Sequence, residues 1–172
     1  VDLTALTSVT GSPATYFTRF RSFNGGHVLL PNVSKFDSPY VELLSQGTGA
    51  KTDAGSLNTF VSPAGTYSYL TVRQGGEVKV APSLTVLDRV IYSFGENSTF
   101  PNNQLTAVRN YSLSVTDSTV SFPNLTDITE SSVSANGVGT VTLGAVTTIP
   151  VHPSASVQID AFNGATLSLP SL

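Results

Sequence analysis

Apolar and polar residues alternate along most of this chain, in short stretches separated by Gly, Pro and Asn. The alternation has a period of two, which is typical of β-strands with one buried face; no stretch shows the 3.6-residue period of an amphipathic helix. About ten short strands are expected, with a turn roughly every 8–12 residues. Besides the stretches discussed below, the predicted strands are residues 15–23, 27–30, 40–44, 58–61, 118–122 and 139–147. The pattern predicts an all-β fold.

Two pairs of strands can be aligned as hairpins from the pattern alone. In residues 66–80, a loop of Gln74-Gly75-Gly76 sets Arg73 opposite Glu77 and places apolar residues opposite apolar ones. In residues 155–170, a loop of Phe162-Asn163-Gly164 places glycine at a left-handed position, where it has no steric cost. The sequence therefore predicts antiparallel pairing, with a hairpin at the end of the chain.

Residues 84–94 and 104–116 are each expected to form one longer strand. In the second, the residues predicted to face a core are Leu105, Ala107, Tyr111, Leu113 and Val115, and those predicted to face water are Thr106, Val108, Asn110, Ser112 and Ser114. One buried and one solvated face is typical of an antiparallel sheet packed on a second sheet. The predicted fold is an antiparallel β-sandwich resembling a jelly roll, with residues 14–172 as one domain and no sequence repeat.

Composition narrows the function classes. Only 11 % of residues are charged, the net charge is −3, and the eight Lys and Arg are scattered singly. Nucleic-acid binding is disfavoured because no basic stripe is present to neutralise phosphates. No apolar run approaches the roughly 18 residues of a membrane span. Cys and Met are absent, which suits an extracellular location. A chain without an initial Met suggests a removed secretory signal peptide, unless the numbering begins at a domain boundary.

No motif in the chain carries recognisable catalytic or metal chemistry. His27 and His152 lack the flanking pattern of a catalytic triad. Asp127 and Glu130 come closest to an acidic cluster, but two carboxylates without a D-x-D-x-D pattern favour a solvated loop over a Ca²⁺ site. We therefore predict a protein that is not an enzyme and takes no cofactor.

Four N-x-S/T sequons mark candidate N-glycosylation sites, at Asn32, Asn97, Asn110 and Asn124. In a Ser- and Thr-rich chain this number is only a mild excess over chance. We expect at least two of the four to carry glycans if the source glycosylates secreted proteins.

The opening stretch VDLTALTSVTGSP is the strongest candidate for a functional element. Its apolar residues are Val1, Leu3, Ala5 and Val9 on one face, with Leu6 out of pattern, and Gly and Pro follow as a tether. Residues 1–13 are therefore predicted to be a donor strand that can complete the sheet of a neighbouring subunit by β-augmentation. Such a contact is head-to-tail and does not close, so it would propagate as a filament.

This organisation of an alternating first strand, a Gly/Pro tether and a Cys-free, sequon-bearing β-domain resembles the donor-strand pilins and thread-type filament subunits of archaeal cell surfaces. The resemblance implies an extracellular homopolymer for adhesion or cell-cell contact, whose partners are other copies of the chain.

Two other functions remain open. One is a viral coat or spike protein with a jelly-roll fold, although no basic arm for a genome is visible. The other is a secreted carbohydrate-binding β-sandwich, in which Tyr67, Tyr69 and Tyr111 are the residues able to stack on a sugar ring. The lack of Trp counts against this second alternative.

Overall fold

The chain winds into a stack of parallel strands. The computed structural model describes residues 1–9, 16–149 and 156–172. Its strands, in chain order, are β1 (Thr18–Phe23), β2 (His27–Leu29), β3 (Lys35–Phe36), β4 (Val41–Gln46), β5 (Lys51–Ala54), β6 (Thr59–Val61), β7 (Ser68–Arg73), β8 (Glu77–Val80), β9 (Val86–Asp88), β10 (Val90–Gly95), β11 (Ala107–Arg109), β12 (Ser112–Thr116), β13 (Val120–Phe122), β14 (Ser132–Asn136), β15 (Thr140–Leu143), β16 (Gln158–Phe162) and β17 (Thr166–Ser168). A short 3₁₀ helix spans Asn102–Gln104.

Every ladder between these strands is parallel. The longest sheet contains seven strands in the order β1-β4-β7-β10-β12-β14-β16, and three shorter sheets have the orders β11-β9-β6-β3, β2-β5-β8 and β13-β15-β17. Each strand thus pairs with its equivalent in the next turn, which makes the molecule a β-solenoid of about six turns. The all-β prediction is confirmed, but the antiparallel β-sandwich and the jelly roll are wrong.

A continuous core lies inside the coils. The central inward position of the seven-stranded sheet is apolar in every turn and is fully enclosed over most of its length. Its members, in stacking order, are Phe20, Leu43, Leu70, Tyr92, Leu113, Val133 and the partly buried Ile159. Aligned apolar side chains stack on one another along the axis, and each coil buries its neighbours' apolar area.

The two predicted hairpins are corners of the solenoid. β7 and β8 do not pair with each other: β7 lies between β4 and β10, and β8 lies beside β5. Glu77 consequently faces Lys51, with 3.0 Å between their charged groups, and not Arg73. The turn Phe162-Asn163-Gly164 likewise separates β16 from β17, which belong to different sheets.

The same backbone conformation explains why corners look like hairpin turns. After each strand of the long sheet except β10, the residue at the corner has a positive φ; these residues are Asn24, Gly47, Gln74, Asp117, Gly137 and Asn163. Left-handed backbone favours Gly, Asn and Asp, and tight hairpins select the same residues. Turn chemistry alone therefore does not distinguish a reversal of the chain from a corner.

The two long strands expected at residues 84–94 and 104–116 are each broken by a corner. Arg89 and Asn110 have φ of 56° and 62°, and they separate β9 from β10 and β11 from β12. The corner disturbs the alternation only beside it. Val108 is buried and Tyr111 is 39 % exposed, the reverse of the prediction for both residues, whereas Leu105, Ala107, Leu113 and Val115 are buried as predicted.

Uneven turn lengths hide the repeat. Thr18 pairs with Val41, 23 positions later, whereas Ser112 pairs with Ser132, 20 positions later. Ser132 then pairs with Gln158, 26 positions later. Because insertions change the spacing from turn to turn, no fixed sequence period results.

Candidate functional site

The outer face of the seven-stranded sheet carries an aromatic cluster, which we define as Phe17, Tyr40, Tyr67, Tyr69 and Tyr111. Tyr67 is its centre, with ring centroids 5.7 Å from Tyr40, 5.5 Å from Tyr69 and 5.0 Å from Tyr111. Phe17 joins the same group, 5.4 Å from Tyr40 and 5.3 Å from Tyr69. These distances and the tilted or edge-on ring angles are those of favourable aromatic pairs.

The stacking register of the solenoid builds this cluster. Phe17, Tyr40 and Tyr67 each immediately precede a strand of the long sheet, and the amides of Thr18 and Tyr40 donate to the carbonyls of Tyr40 and Tyr67. Equivalent positions of successive coils lie about 4.8 Å apart. Residues separated by more than 20 positions in sequence are thereby brought into ring contact.

Two of the phenols resist ionisation. Burial, and to a smaller extent the neighbouring phenol of Tyr67, raise the pKa of Tyr69 and the pKa of Tyr111 above the usual tyrosine value. These two phenols therefore remain protonated at physiological pH, and the cluster offers ring faces together with hydroxyl donors. The guanidinium of Arg19 lies over the Phe17 ring, 5.6 Å from its centroid, and extends the cluster with a cation-π contact.

A solvent-open depression lies at each side of the cluster. The first is bounded by the rings of Tyr67 and Tyr111 with Arg89, Asn110 and Glu130 beside them. The second runs across the sheet from Tyr69 towards Arg73. Both combine an aromatic wall with hydrogen-bonding side chains, an arrangement that binds ligands with apolar faces and polar edges.

A ladder of hydroxyls continues the face along the axis. Thr71, Ser93, Ser114 and Ser134 occupy one outward column of the long sheet, each opposite the next. The short side chains at these positions project less far from the sheet than the neighbouring aromatic rings. A long ligand can therefore lie against this column of hydroxyls.

Sequence reasoning named three of the five rings. Tyr67, Tyr69 and Tyr111 were proposed as sugar-stacking residues, and the structure brings them together. Phe17 and Tyr40 were not recognised, because only the parallel register reveals that the residue before each strand lies in one column. The aromatic residue directly before each of β1, β4 and β7 is the signal in the sequence that would have found them.

The predicted donor segment lies against the first coil of its own chain. The amide of Leu3 donates to Leu29 and the amide of Leu29 donates to Val1, at 3.0 and 2.9 Å, and Asp2 bridges Leu29 in parallel. Of the five proposed donor side chains, Val9 is buried in the core, Leu3 and Leu6 pack against it, and Val1 and Ala5 are exposed. Thr10 and the tether Gly11-Ser12-Pro13 lie outside the described residues.

The four sequon asparagines lie on or near the surface in different surroundings. Asn32 and Asn124 are exposed but donate hydrogen bonds of 2.6 Å to the carbonyls of Thr4 and Asn103. Asn110 is partly buried and donates to the Asp88 carboxylate at 2.6 Å. Asn97 is exposed. The structure thus presents Asn97 most openly to a glycosyltransferase.

Of the two acidic residues noted in the sequence, Asp127 belongs to an ion-pair network. The guanidinium of Arg109 reaches Asp88 at 3.1 Å and Asp127 at 3.3 Å, and Arg89 also reaches Asp88. Burial disfavours the charged form of Asp127, but hydrogen bonds from Thr129 and the Arg109 charge outweigh it, so the pKa of Asp127 is lowered. Among the described residues, no group of three His, Asp or Glu side chains is placed to hold a metal ion. His152 lies outside the described residues.

Comparisons with known proteins add no assignment: no family model, no curated protein and no solved structure matches this chain. Within the described residues, no helix has the length and apolar character needed to cross a bilayer.

Proposed function

We propose that this protein is an extracellular, non-catalytic β-solenoid that binds carbohydrate through its aromatic cluster. The observation that carries the proposal is the mutual contact of five rings on one outer face. A ring face is apolar and its edge is polar, which complements the C–H face and hydroxyl rim of a sugar. Rings grouped on an outer surface are typical of a binding site, since soluble proteins seldom expose contiguous apolar area otherwise.

The surroundings of the cluster favour a polymer over a single sugar. The rings themselves are close together: Phe17 lies 6.0 Å and Tyr111 lies 5.0 Å from Tyr67, so these two end rings are at most 11 Å apart. The hydroxyl column Thr71, Ser93, Ser114 and Ser134 continues the same face over three strand spacings, about 14 Å. The adjoining depressions are open, so a polysaccharide can bind side-on without threading its end into a pocket.

Affinity electrophoresis in native gels tests this function. The folded protein is run through gels containing laminarin, xylan, galactomannan or polygalacturonate, and retardation by at least one polymer is expected. Tyr67→Ala removes the central ring, which contacts four others, and should abolish most of the retardation. Since the chain contains no Trp, tyrosine emission should also change when the ligand binds.

Phe162→Ala is the matched control, because Phe162 is an aromatic of the same sheet that is 49 % exposed and lies in its last strand. This variant should retain the mobility shift of the original protein. Migration unaffected by all four polymers, or equal retardation of the Tyr67→Ala and Phe162→Ala variants, would contradict a carbohydrate site at the cluster.

A donor-strand homopolymer remains a second candidate, favoured by one observation. Residues 1–3 already associate with β2 by backbone hydrogen bonds, as an added strand does. The same edge has to be vacated before a neighbour's segment can occupy it, so polymer growth requires exchange of the segment. A variant lacking residues 1–9 should bind a synthetic peptide of that segment, and the full chain should form filaments in negative-stain micrographs. A full chain that stays monomeric by light scattering at high concentration rules this candidate out.

A further inference from the structure

The basic side chains of this protein are neutralised with one exception. Seven of the eight Lys and Arg residues form ion pairs within the described part of the chain: Arg19, Arg21, Lys35, Lys51, Lys79, Arg89 and Arg109. Arg73, at the end of β7, has no carboxylate within ion-pair distance there. The protein has a net charge of −3. An arginine without a counter-ion is therefore the position at which an anionic group of a ligand experiences the strongest electrostatic attraction.

The guanidinium of Arg73 is nevertheless held in place. Its Nε and one terminal nitrogen donate to the same oxygen of Gln46, at 3.1 and 2.9 Å, and the amide nitrogen of Gln46 donates to Gln74 at 2.7 Å. These neutral partners orient the side chain without cancelling its charge. A guanidinium has five N–H donors, so the fork keeps donors for a carboxylate after the contacts to Gln46.

The depression beside Arg73 has a positive surplus. It has a volume of about 390 Å³ and extends from Arg73 to Tyr69 of the aromatic cluster, with Arg21 and Glu42 in its lining. Glu42 is shared by Arg19 and Arg21, at 3.1 and 2.6 Å. The lining of the depression therefore carries two arginines and one carboxylate, and Arg19, outside the lining, shares that carboxylate. Arg73 also lines a second depression together with Glu96 and Asp117. Because these two carboxylates repel an anion, we expect an anionic group to bind Arg73 from the Tyr69 side.

We propose that the polysaccharide bound at the aromatic cluster is an acidic one, whose sugar carboxylate is received by Arg73. This inference rests on the proposed carbohydrate-binding function. Tyr69 and Arg73 both project from the outer face of β7, about 13 Å apart along the strand. A chain that stacks a ring at the cluster can therefore place the carboxylate of a nearby uronic acid residue at the guanidinium fork.

The test measures the dissociation constants of two matched polymers by isothermal titration calorimetry. Polygalacturonate carries the carboxylate, and its methyl ester has the same backbone without the charge. The protein should bind polygalacturonate at least tenfold more tightly, as expected for a charge-assisted hydrogen bond, and the preference should shrink as salt is added. Arg73→Gln should abolish the preference, because it should weaken the binding of polygalacturonate far more than the binding of the ester.

Two variants make the result specific. Lys79→Gln removes one positive charge from an exposed side chain on another sheet and should keep the preference. Arg73→Lys keeps the charge but loses the bidentate fork, so it should retain only part of the preference. Equal binding of both polymers, or a preference that survives in Arg73→Gln, overturns the acidic-ligand inference and leaves the carbohydrate function standing. If this protein is retarded by neutral polysaccharides but not by polygalacturonate, the inference fails in the same way. Failure to bind any polysaccharide overturns both.

Discussion

Replacing Gly76 by Ala tests the parallel stacking directly. Gly76 is buried at the corner between β7 and β8, and an added Cβ would lie 2.3 Å from the carbonyl oxygen and 2.6 Å from the carbonyl carbon of Ser45. Both atoms belong to the backbone of β4 in the preceding coil, which is fixed between β1 and β7. Ordinary contact begins near 3.4 Å, so the coils would have to separate locally by about 1 Å, a fifth of the usual strand spacing.

The expected cost is that of overpacking a well-packed interior, about 1–3 kcal/mol. With a urea dependence of roughly 2 kcal/mol per molar for a domain of this size, a loss of about 2 kcal/mol lowers the unfolding midpoint by about 1 M. Gly144→Ala is the matched control, because its Cβ would approach the nearest atom, Cα of Pro123, at 3.3 Å and needs a shift of only a few tenths of an ångström. The measurement is equilibrium unfolding in urea followed by circular dichroism. A Gly76→Ala midpoint equal to or above that of Gly144→Ala would refute the stacked-coil geometry at this corner.

Three further outcomes are expected. The hydroxyl of buried Tyr92 donates to Asn102, and burial raises the pKa of Tyr92 well above the usual value of 10.0. Because the unfolded chain loses this proton at a lower pH than the folded protein, stability should fall as the pH rises above about 10. Spectrophotometric titration should show one tyrosine that ionises only on unfolding. Ionisation of all six tyrosines with the dichroism spectrum intact would contradict this. The lowered pKa of Asp127 contributes stability that is present at pH values above the ordinary aspartate pKa and is lost as the pH falls through the lowered pKa. The urea midpoint of Asp127→Asn should therefore depend less on acid pH than the midpoint of the original chain. Identical pH profiles of the two proteins would contradict this contribution of Asp127. Expression in a glycosylating host should add glycan mass to the protein, and the Asn97→Gln variant should lack the mass of one glycan. An intact mass equal to that of the bare polypeptide would exclude glycosylation at Asn97.

The position and inward side of many strands follow from local sequence. Leu70 and Val72 alternate with Tyr69 and Thr71, and the structure buries the first pair and leaves the second on the outer face. Such alternation depends only on the two-residue period of a strand, whatever its partner. Three strands, β3, β5 and β14, were not predicted.

Strand pairing was decided by tertiary structure. The loop Gln74-Gly75-Gly76 supplies the positive φ that a hairpin needs, but the chain uses it for a corner. Antiparallel and parallel arrangements can bury the same apolar side chains, so the local pattern does not choose between them. The choice depends on long-range stacking, such as Leu43 on Leu70 and Leu70 on Tyr92.

Some features of the candidate site likewise follow from the sequence, and others follow only from the tertiary structure. The sequence by itself determined a Cys-free, all-β chain without basic clusters, and it marked Tyr67, Tyr69 and Tyr111 as residues of interest. Only the tertiary structure joined them to Phe17 and Tyr40 and left Arg73 without a carboxylate partner. The physical reason is that local alternation fixes which way a side chain points within its own strand. The neighbours of that side chain on adjacent strands depend on the pairing register, which joins residues 20 or more positions apart. The unequal lengths of the turns hide this spacing in the sequence.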